Sequence, residues 1–359
     1  MIGPTDTGSI GFDAMKTPYE VDEREYPHGG SFEEQCLFLL RYAVLAPSTH
    51  NTQPWKFAVH ENGIEVFADY TRRMPVADPG SRELLMSVGA AIRNLRIAAA
   101  RFGLACRVDY DYSGGSERPL AMISLMAARA DAPADPAIGT LFASITKRHT
   151  NRHPFLFSRV PGSVLDRLRK AAEGSQSSLV LSTDGKLNKQ VANLVAAADR
   201  MQQADPNFRK DVAEWVRPDW TEKYDGLTGA ALGMSPVASV VGPWTTRVLD
   251  LGRVRAAHDK NLCVEAPGLM VIAGEDAVPC WLDAGELLEK LLLTVTAEGL
   301  HTSYFNMPIE VPDLRLELRT LLGLSSWPQL LLRIGYCLTP TPVTPRRPLE
   351  EVLISYSRL

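Results

Sequence analysis

Three stretches of this chain gather side chains able to hold a small anionic ring compound. In Lys147-Arg-His-Thr-Asn-Arg-His-Pro-Phe155, Arg148, Thr150 and Arg152 alternate, so an extended backbone turns all three to one side. Two guanidinium forks flanking a hydroxyl suit a dianionic phosphate monoester, although a solvated basic run would read the same way. Thr344-Pro-Arg-Arg-Pro348 adds Arg346 and Arg347 and is open to the same two readings. Ala46-Pro-Ser-Thr-His-Asn-Thr-Gln-Pro-Trp-Lys56 is a helix exit followed by Pro47, Ser48, Thr49, Asn51 and Gln53. Its hydroxyls, amides and backbone N–H groups could pair with the carbonyl and nitrogen edge of a heterocycle. A capped exit with an Asx turn would use the same residues.

Other chemistries lack their residues. GxGxxG and GxxxxGK[ST] are both absent, so neither common nucleotide fingerprint applies. Ser144-Ile-Thr-Lys147 fits SxxK but has no SDN or KTG companions. The seven histidines show no HExxH or comparable spacing, no metal site is expected, and His60, His258 and His301 read as surface residues. Five scattered cysteines without a CxxC pair read as reduced thiols that pack as small apolar groups. A net charge of −4 gives no pull towards nucleic acid or anionic lipid. Apolar residues at 45% and charged residues at 22% describe an ordinary globular chain. The first thirty residues carry acidic side chains where a signal peptide needs a basic start and an apolar core, so a cytoplasmic protein is expected. Gly226–Thr246 is uncharged, but its glycines and prolines make a poor spanning helix; a covered loop or lid is expected there.

The elements that position these stretches occur twice. Ser87–Leu104 aligns without gaps on Asp283–Leu300, matching Gly89 with Gly285, Leu95 with Leu291 and Gly103-Leu104 with Gly299-Leu300. Both segments read as long buried helices ended by a glycine able to turn left-handed. More weakly, Leu37–Ala43 aligns on Leu165–Ala171. The offset grows from 128 to 196 between the two matches, which places an insertion of 68 residues in the second copy, at about 183–265. Trp55–Val59 and Ile64–Phe67 predict a hairpin, and Ala121–Met126, Leu269–Ile272 and Leu330–Gly335 predict buried strands. Without regular βαβ alternation, an α+β fold with two related, mixed or antiparallel sheets flanked by helices is expected. The expected organisation is an arm at 1–30, a short first half at 31–135 and a longer second half at 136–359, with the Ala/Pro-rich Arg129–Pro136 as the seam.

Taken in order, these segments resemble the FMN-dependent nitroreductase family. Ala46-Pro-Ser and Asn51-Thr-Gln-Pro-Trp55 look like its APSxxNxQPW loop. Lys147–Arg152 is similar to its RxSxR/K phosphate motif, with Thr150 for Ser. Met307-Pro-Ile-Glu-Val311 is similar to its PIEG segment, with Val311 for Gly, which brings Pro308, Ile309 and Glu310 towards the reactive edge of the flavin. Arg346 and Arg347 fall where that family has carboxy-terminal basic residues. Asp69…Arg72-Arg-Met-Pro75…Asp78-Pro…Arg82-Glu-Leu resembles the Acg-like branch, in which a lid can cover the flavin.

In that family two subunits usually share each site. Here the first copy keeps the loop but not the arginines, and the second keeps the arginines but has Gly174-Ser-Gln-Ser-Ser178 at the loop position. The resemblance therefore implies one FMN per chain in a monomeric pseudo-dimer. It implies NAD(P)H-linked reduction of a nitroaromatic or quinone-like acceptor, with no obligatory catalytic side chain. The alternative is a flavin-sequestering or redox-sensing protein, closed by the insertion and turning over little.

Overall fold

The computed structural model describes residues 19–113, 115, 117–128, 135–340 and 343–354. The part of the expected arm at 1–18 and most of the expected seam, 129–134, lie outside the described residues.

In chain order the first half contains α1 (Phe32–Ala43), β1 (Trp55–His60), β2 (Gly63–Ala68), α2 (Arg82–Arg101), β3 (Leu104–Tyr110) and β4 (Ala121–Ala127). The second half begins with α3 (Ile138–Ile145), α4 (Gly162–Ala172) and β5 (Ser178–Ser182). An excursion follows: α5 (Gly185–Ala204), α6 (Pro206–Ala213), β6 (Val216–Arg217), β7 (Leu227–Thr228), α7 (Pro236–Val248) and α8 (Gly252–Val264). The chain then resumes with β8 (Gly268–Gly274), α9 (Val278–Ala297), β9 (His301–Tyr304), α10 (Met307–Glu310), α11 (Pro312–Leu321), β10 (Trp327–Gly335) and α12 (Leu349–Val352).

Two four-stranded antiparallel sheets show the duplication. One has the order β1-β2-β4-β3 and the other β5-β8-β10-β9, so the first, second, third and fourth strands of each half occupy the same places. The chain passes from β1 to β2 through a two-residue turn, but between the equivalent β5 and β8 it makes the whole α5–α8 excursion. The single parallel pairing among the named strands, β6 with β7, lies in that excursion.

The axis of the molecule is the pair α2 and α9, each 20 residues long. A Cβ on Gly89 would stand 2.2 Å from the Leu282 carbonyl oxygen, and one on Gly285 would stand 2.0 Å from that of Met86. The offset of 196 that relates the two glycines also relates the two carbonyls, so the contact is reciprocal about a pseudo-twofold axis. Glycine is needed at both positions because the backbones touch. Gly103 and Gly299, at φ +75° and +70°, end the two helices in the left-handed conformation read from the sequence.

The uncharged stretch 226–246 departs from its expectation as a covered loop. It contains β7, a 3₁₀ turn at Ala230–Leu232 and most of α7. Ser235 caps α7 by accepting a bond from the Ala238 N–H, and Pro236 sits in the first turn, where a missing N–H costs nothing. Val237, Val240 and Trp244 of this helix are exposed. No helix among the described residues is long and apolar enough to cross a membrane.

Candidate functional site

A cavity of about 600 Å³ opens between the two halves, within the usual range for a cofactor site. The first half supplies Pro47, Ser48, Thr49 and Asn51 from the loop after α1, and Glu83, Met86 and Ser87 from α2. The second half supplies Arg148, Thr150 and Arg152, with Tyr304 of β9, Glu310 of α10 and Arg346 near the carboxyl end. The excursion closes the remaining side with Asp199, Gln202 and Gln203 of α5, Ala230–Met234, and Arg255, His258 and Asp259 of α8. His258, read as a plain surface residue, therefore borders the cavity while remaining exposed.

One wall is basic. Arg148 and Arg346 are almost fully buried, and the Nε–H of each finds no hydrogen-bond partner among the described residues. Arg148 Nη2 donates to the Leu45 carbonyl at 3.3 Å, and its Nε lies 3.6 Å from Glu289 Oε1. Arg346 Nη1 donates to Asn51 Oδ1 at 2.8 Å, and its Nη2 to the carbonyls of Leu45 and Ala46. Burial lowers the Arg346 pKa, and Arg148 beside it adds to the shift. Arg152 Nη1 donates to the Ala231 carbonyl at 3.2 Å, so the basic segment touches the excursion directly. Arg333 of β10 sets the course of that segment by donating Nη2 to the carbonyls of Arg152 and His153, at 2.9 and 3.0 Å. Burial, then Arg148 and Arg346, push His149 down to about 3. Burial, then Arg152 and Arg255, push His50 down to about 4. Both imidazoles are neutral at pH 7. Two buried guanidinium groups lining one cavity form a receptor for a phosphate.

The lining also carries the acids Glu83, Glu310, Asp199 and Asp259. Glu83 accepts from Thr49 Oγ1 at 2.8 Å and from Asn306 Nδ2 at 3.1 Å. Glu310 accepts from Gln202 Nε2 at 2.6 Å, and burial, then Glu83, lift its pKa well above the usual carboxylate range. Burial, then Asp259, push Asp199 up to about 7.

The loop after α1 is held under strain. His50, Asn51 and Gln53 have φ of 47°, 57° and 51°, a region costly for residues other than glycine. Bonds from two other parts of the chain fix it. Asn51 Nδ2 donates to the carbonyls of Gly226 and Pro345, at 2.9 and 3.0 Å. Gln53 Nε2 donates to the Tyr224 carbonyl at 2.7 Å, and Gln53 Oε1 accepts from the Arg347 N–H at 2.8 Å. These two amides, read from the sequence as contacts for a heterocycle, are spent largely on the chain itself.

Of the expected site residues, the structure brings Pro47, Ser48, Thr49, Asn51, Arg148, Thr150, Arg152, Glu310 and Arg346 to one cavity. Four do not line it. Gln53 and Arg347 form the clasp just described, with Arg347 turned to Glu351, its Nη2 on that residue's carbonyl at 2.7 Å. Pro308 and Ile309 pack behind Glu310, Ile309 in a core cluster with Leu331. Sequence reasoning missed Glu83, although it lies inside the quoted Arg82-Glu-Leu stretch. It also missed His149, inside the quoted basic segment, and Asp199 and Gln203, which carry no local signature.

The pseudo-symmetric position differs. Where the Thr49 N–H meets the Ser87 hydroxyl at 3.4 Å, the equivalent Ser177 N–H meets the Asp283 carboxylate at 2.8 Å. Ser175 Oγ donates to the same carboxylate at 2.6 Å. The second loop is closed on an acid.

Fold and site together define an internally duplicated α+β protein with one polarised, cofactor-sized cavity at the seam of its halves. The chain is homologous over most of its length to two curated proteins of Mycobacterium tuberculosis strain H37Rv. It is 28% identical over 325 residues to the protein named "Putative NAD(P)H nitroreductase Rv3131", covering 89% of this chain and 91% of that one. It is 25% identical over 336 residues to "Putative NAD(P)H nitroreductase acg", covering 87% and 93%. Among solved structures it is similar to a variant of the FMN- and NADPH-dependent nitroreductase NfnB from "sphigopyxis sp. strain HMH". That likeness has 20% identity and a TM-score of 0.40, and covers 61% of this chain and 99% of the other. No protein-family model matches the chain.

Proposed function

We propose that the cavity holds one FMN per chain and that the protein is an NAD(P)H-linked oxidoreductase of the nitroreductase type, reducing nitroaromatic or quinone-like acceptors. The observation that carries this is the pair of buried guanidinium groups, Arg148 and Arg346, that line a two-sided cavity. Their donor set fits the phosphate of FMN, and the relatives named NAD(P)H nitroreductases support the assignment. Arg148, Arg152 and Arg346 with Thr150 would hold the phosphate, and the strained 47–51 loop would line the ring. Bound there, FMN supplies a ring that takes up two electrons as hydride and passes them on. The chain's own part is to orient that ring, exclude water and keep His50 and His149 uncharged beside it. The closed loop at Ser177 and Asp283 supports a single site over two.

Arg148→Ala tests the assignment. A charge-assisted hydrogen bond contributes about 1.5–3 kcal/mol, so FMN affinity should fall about tenfold or more. Riboflavin, which lacks the phosphate, should bind the variant and the parent alike. Equal FMN affinity in the two would remove Arg148 from the site.

One observation favours a second reading, in which the flavin is sequestered and turns over slowly. The excursion that closes one side of the cavity is fastened to the first half by Asn51 to Gly226, Gln53 to Tyr224 and Arg72 to Asp225. Reduction of the bound flavin separates the readings: a sequestering protein reacts slowly with NADPH but quickly with dithionite.

A further inference from the structure

The excursion that closes one side of the cavity also brings polar atoms of its own that nothing among the described residues satisfies. Asp199 and Gln203 stand one turn apart on α5, the i,i+4 spacing that puts two side chains on one face. Both line the cavity, and both are more than nine-tenths buried. Asp199 Oδ2 and Gln203 Oε1 have no hydrogen-bond partner among the described residues. A buried acceptor left without a donor is costly, so two side by side mark a place where a donor belongs. The first half has no counterpart, since β1 passes to β2 in a two-residue turn.

We propose that Asp199 and Gln203 form a subsite for the N–H-bearing group, an amide, amine or amidinium, of the small molecule that exchanges electrons in this cavity. The inference rests on the proposed function and names its substrate class: neutral amides and cations are favoured over anions. Asp199 faces Asp259 and Arg255 of α8, with Arg200 on its own helix, so the order rests on the two acceptor atoms and not on the surrounding net charge. Next to it, Gln202 donates to Glu310, which faces Glu83, Arg82 and Asp78. An anion at the subsite would meet the Asp199 carboxylate and Gln203 Oε1, neither of which donates to it.

The test uses three probes of one shape, benzamidinium, benzamide and benzoate, titrated calorimetrically into the FMN-loaded chain at pH 8. The expected affinity order is benzamidinium, then benzamide, then benzoate, with about tenfold or more between first and last. Asp199→Asn should reduce benzamidinium to the level of benzamide. Gln203→Met should weaken benzamide without affecting benzoate, which keeps the proposal testable should Asp199→Asn fail to fold. Benzamidinium should bind more tightly at pH 8 than at pH 6, because Asp199 must ionise to meet the cation, whereas benzamide should show less change. Benzoate binding as well as benzamidinium, or an order unchanged in both variants, would overturn the subsite. Flavin content, measured separately, tells this failure from failure of the FMN assignment: a chain without flavin refutes the latter whatever the probes do.

Discussion

Asp225 joins the excursion to the first half. Its Oδ1 accepts from Arg217 Nε at 3.0 Å and Nη2 at 2.7 Å, and its Oδ2 accepts from Arg72 Nη2. All three side chains are mostly buried, and Arg72 also donates Nε to the Thr52 carbonyl in the strained loop. Both arginines lie over the Trp215 ring, at 5.1 and 5.7 Å from its centre. Burial works against ionised Asp225, yet the bonds from Arg217 and Arg72 hold its pKa below the usual carboxylate value. A depressed pKa contributes stability that is present above the unfolded value and lost as pH falls through the folded one, so the fastening is intact at pH 6–8. Asp225→Ala removes the shared acceptor and leaves two cations facing each other. Breaking a fully buried pair costs about 3–5 kcal/mol, and this partly exposed trio should lose about 2 kcal/mol. At 1.4 kcal/mol per tenfold, opening of the 216–228 segment should rise about thirtyfold. Hydrogen exchange reads this directly as faster exchange of those amides. In stopped flow, NADPH reduction of the bound flavin should accelerate while dithionite reduction changes little. Unchanged exchange would refute the fastening, and faster exchange with unchanged NADPH reduction would refute its role as a gate.

Further outcomes follow from the axis and the buried acids. Gly89→Ala and Gly285→Ala each force a methyl into a carbonyl about 2 Å away, so each should cost about 1–3 kcal/mol in urea unfolding; a neutral result at either would contradict the reciprocal contact. Burial pushes Glu289 up to about 7 despite Arg148 nearby. A raised pKa means that the stability it contributes is full below the unfolded value near 4.5 and is lost as pH rises to about 7. The flavin-free protein should therefore lose stability between pH 5 and 8, and Glu289→Gln should shrink that loss; an identical pH slope in the variant would exclude Glu289 as its source.

Much of this architecture was legible because it is periodic. The glycines at 89, 103, 285 and 299 have one reason each, a close backbone approach or a left-handed helix end, and such positions stand out in a self-alignment. The hairpin at Trp55–Phe67 and the strands around Ile123, Val271 and Leu332 were equally plain from their apolar runs. The edge strands β3, β5 and β9 were not foreseen, since their mixed polarity matches loops as well as strands. Helix α7 was missed because Gly242 and Pro243 argue against a helix locally, while a serine cap and Pro236 at its start support one. At the site, Arg148, Thr150 and Arg152 could be read from their spacing. The diversion of Gln53 and Arg347 into a clasp could not, because their partners Tyr224 and Glu351 are distant in sequence or carry no signal of their own. Asp199 and Gln203 gain meaning only once α5 packs beside α10 and the cavity has a wall.

The central claim is a single flavin site per chain, built from the loop of one half and the arginines of the other. Flavin released by acid from the reconstituted, purified protein and measured against chain concentration tests it most directly. One FMN per chain is the predicted result. Two per chain would mean that the loop at Ser177 is a second working site, and none would mean that the buried arginines serve another ligand.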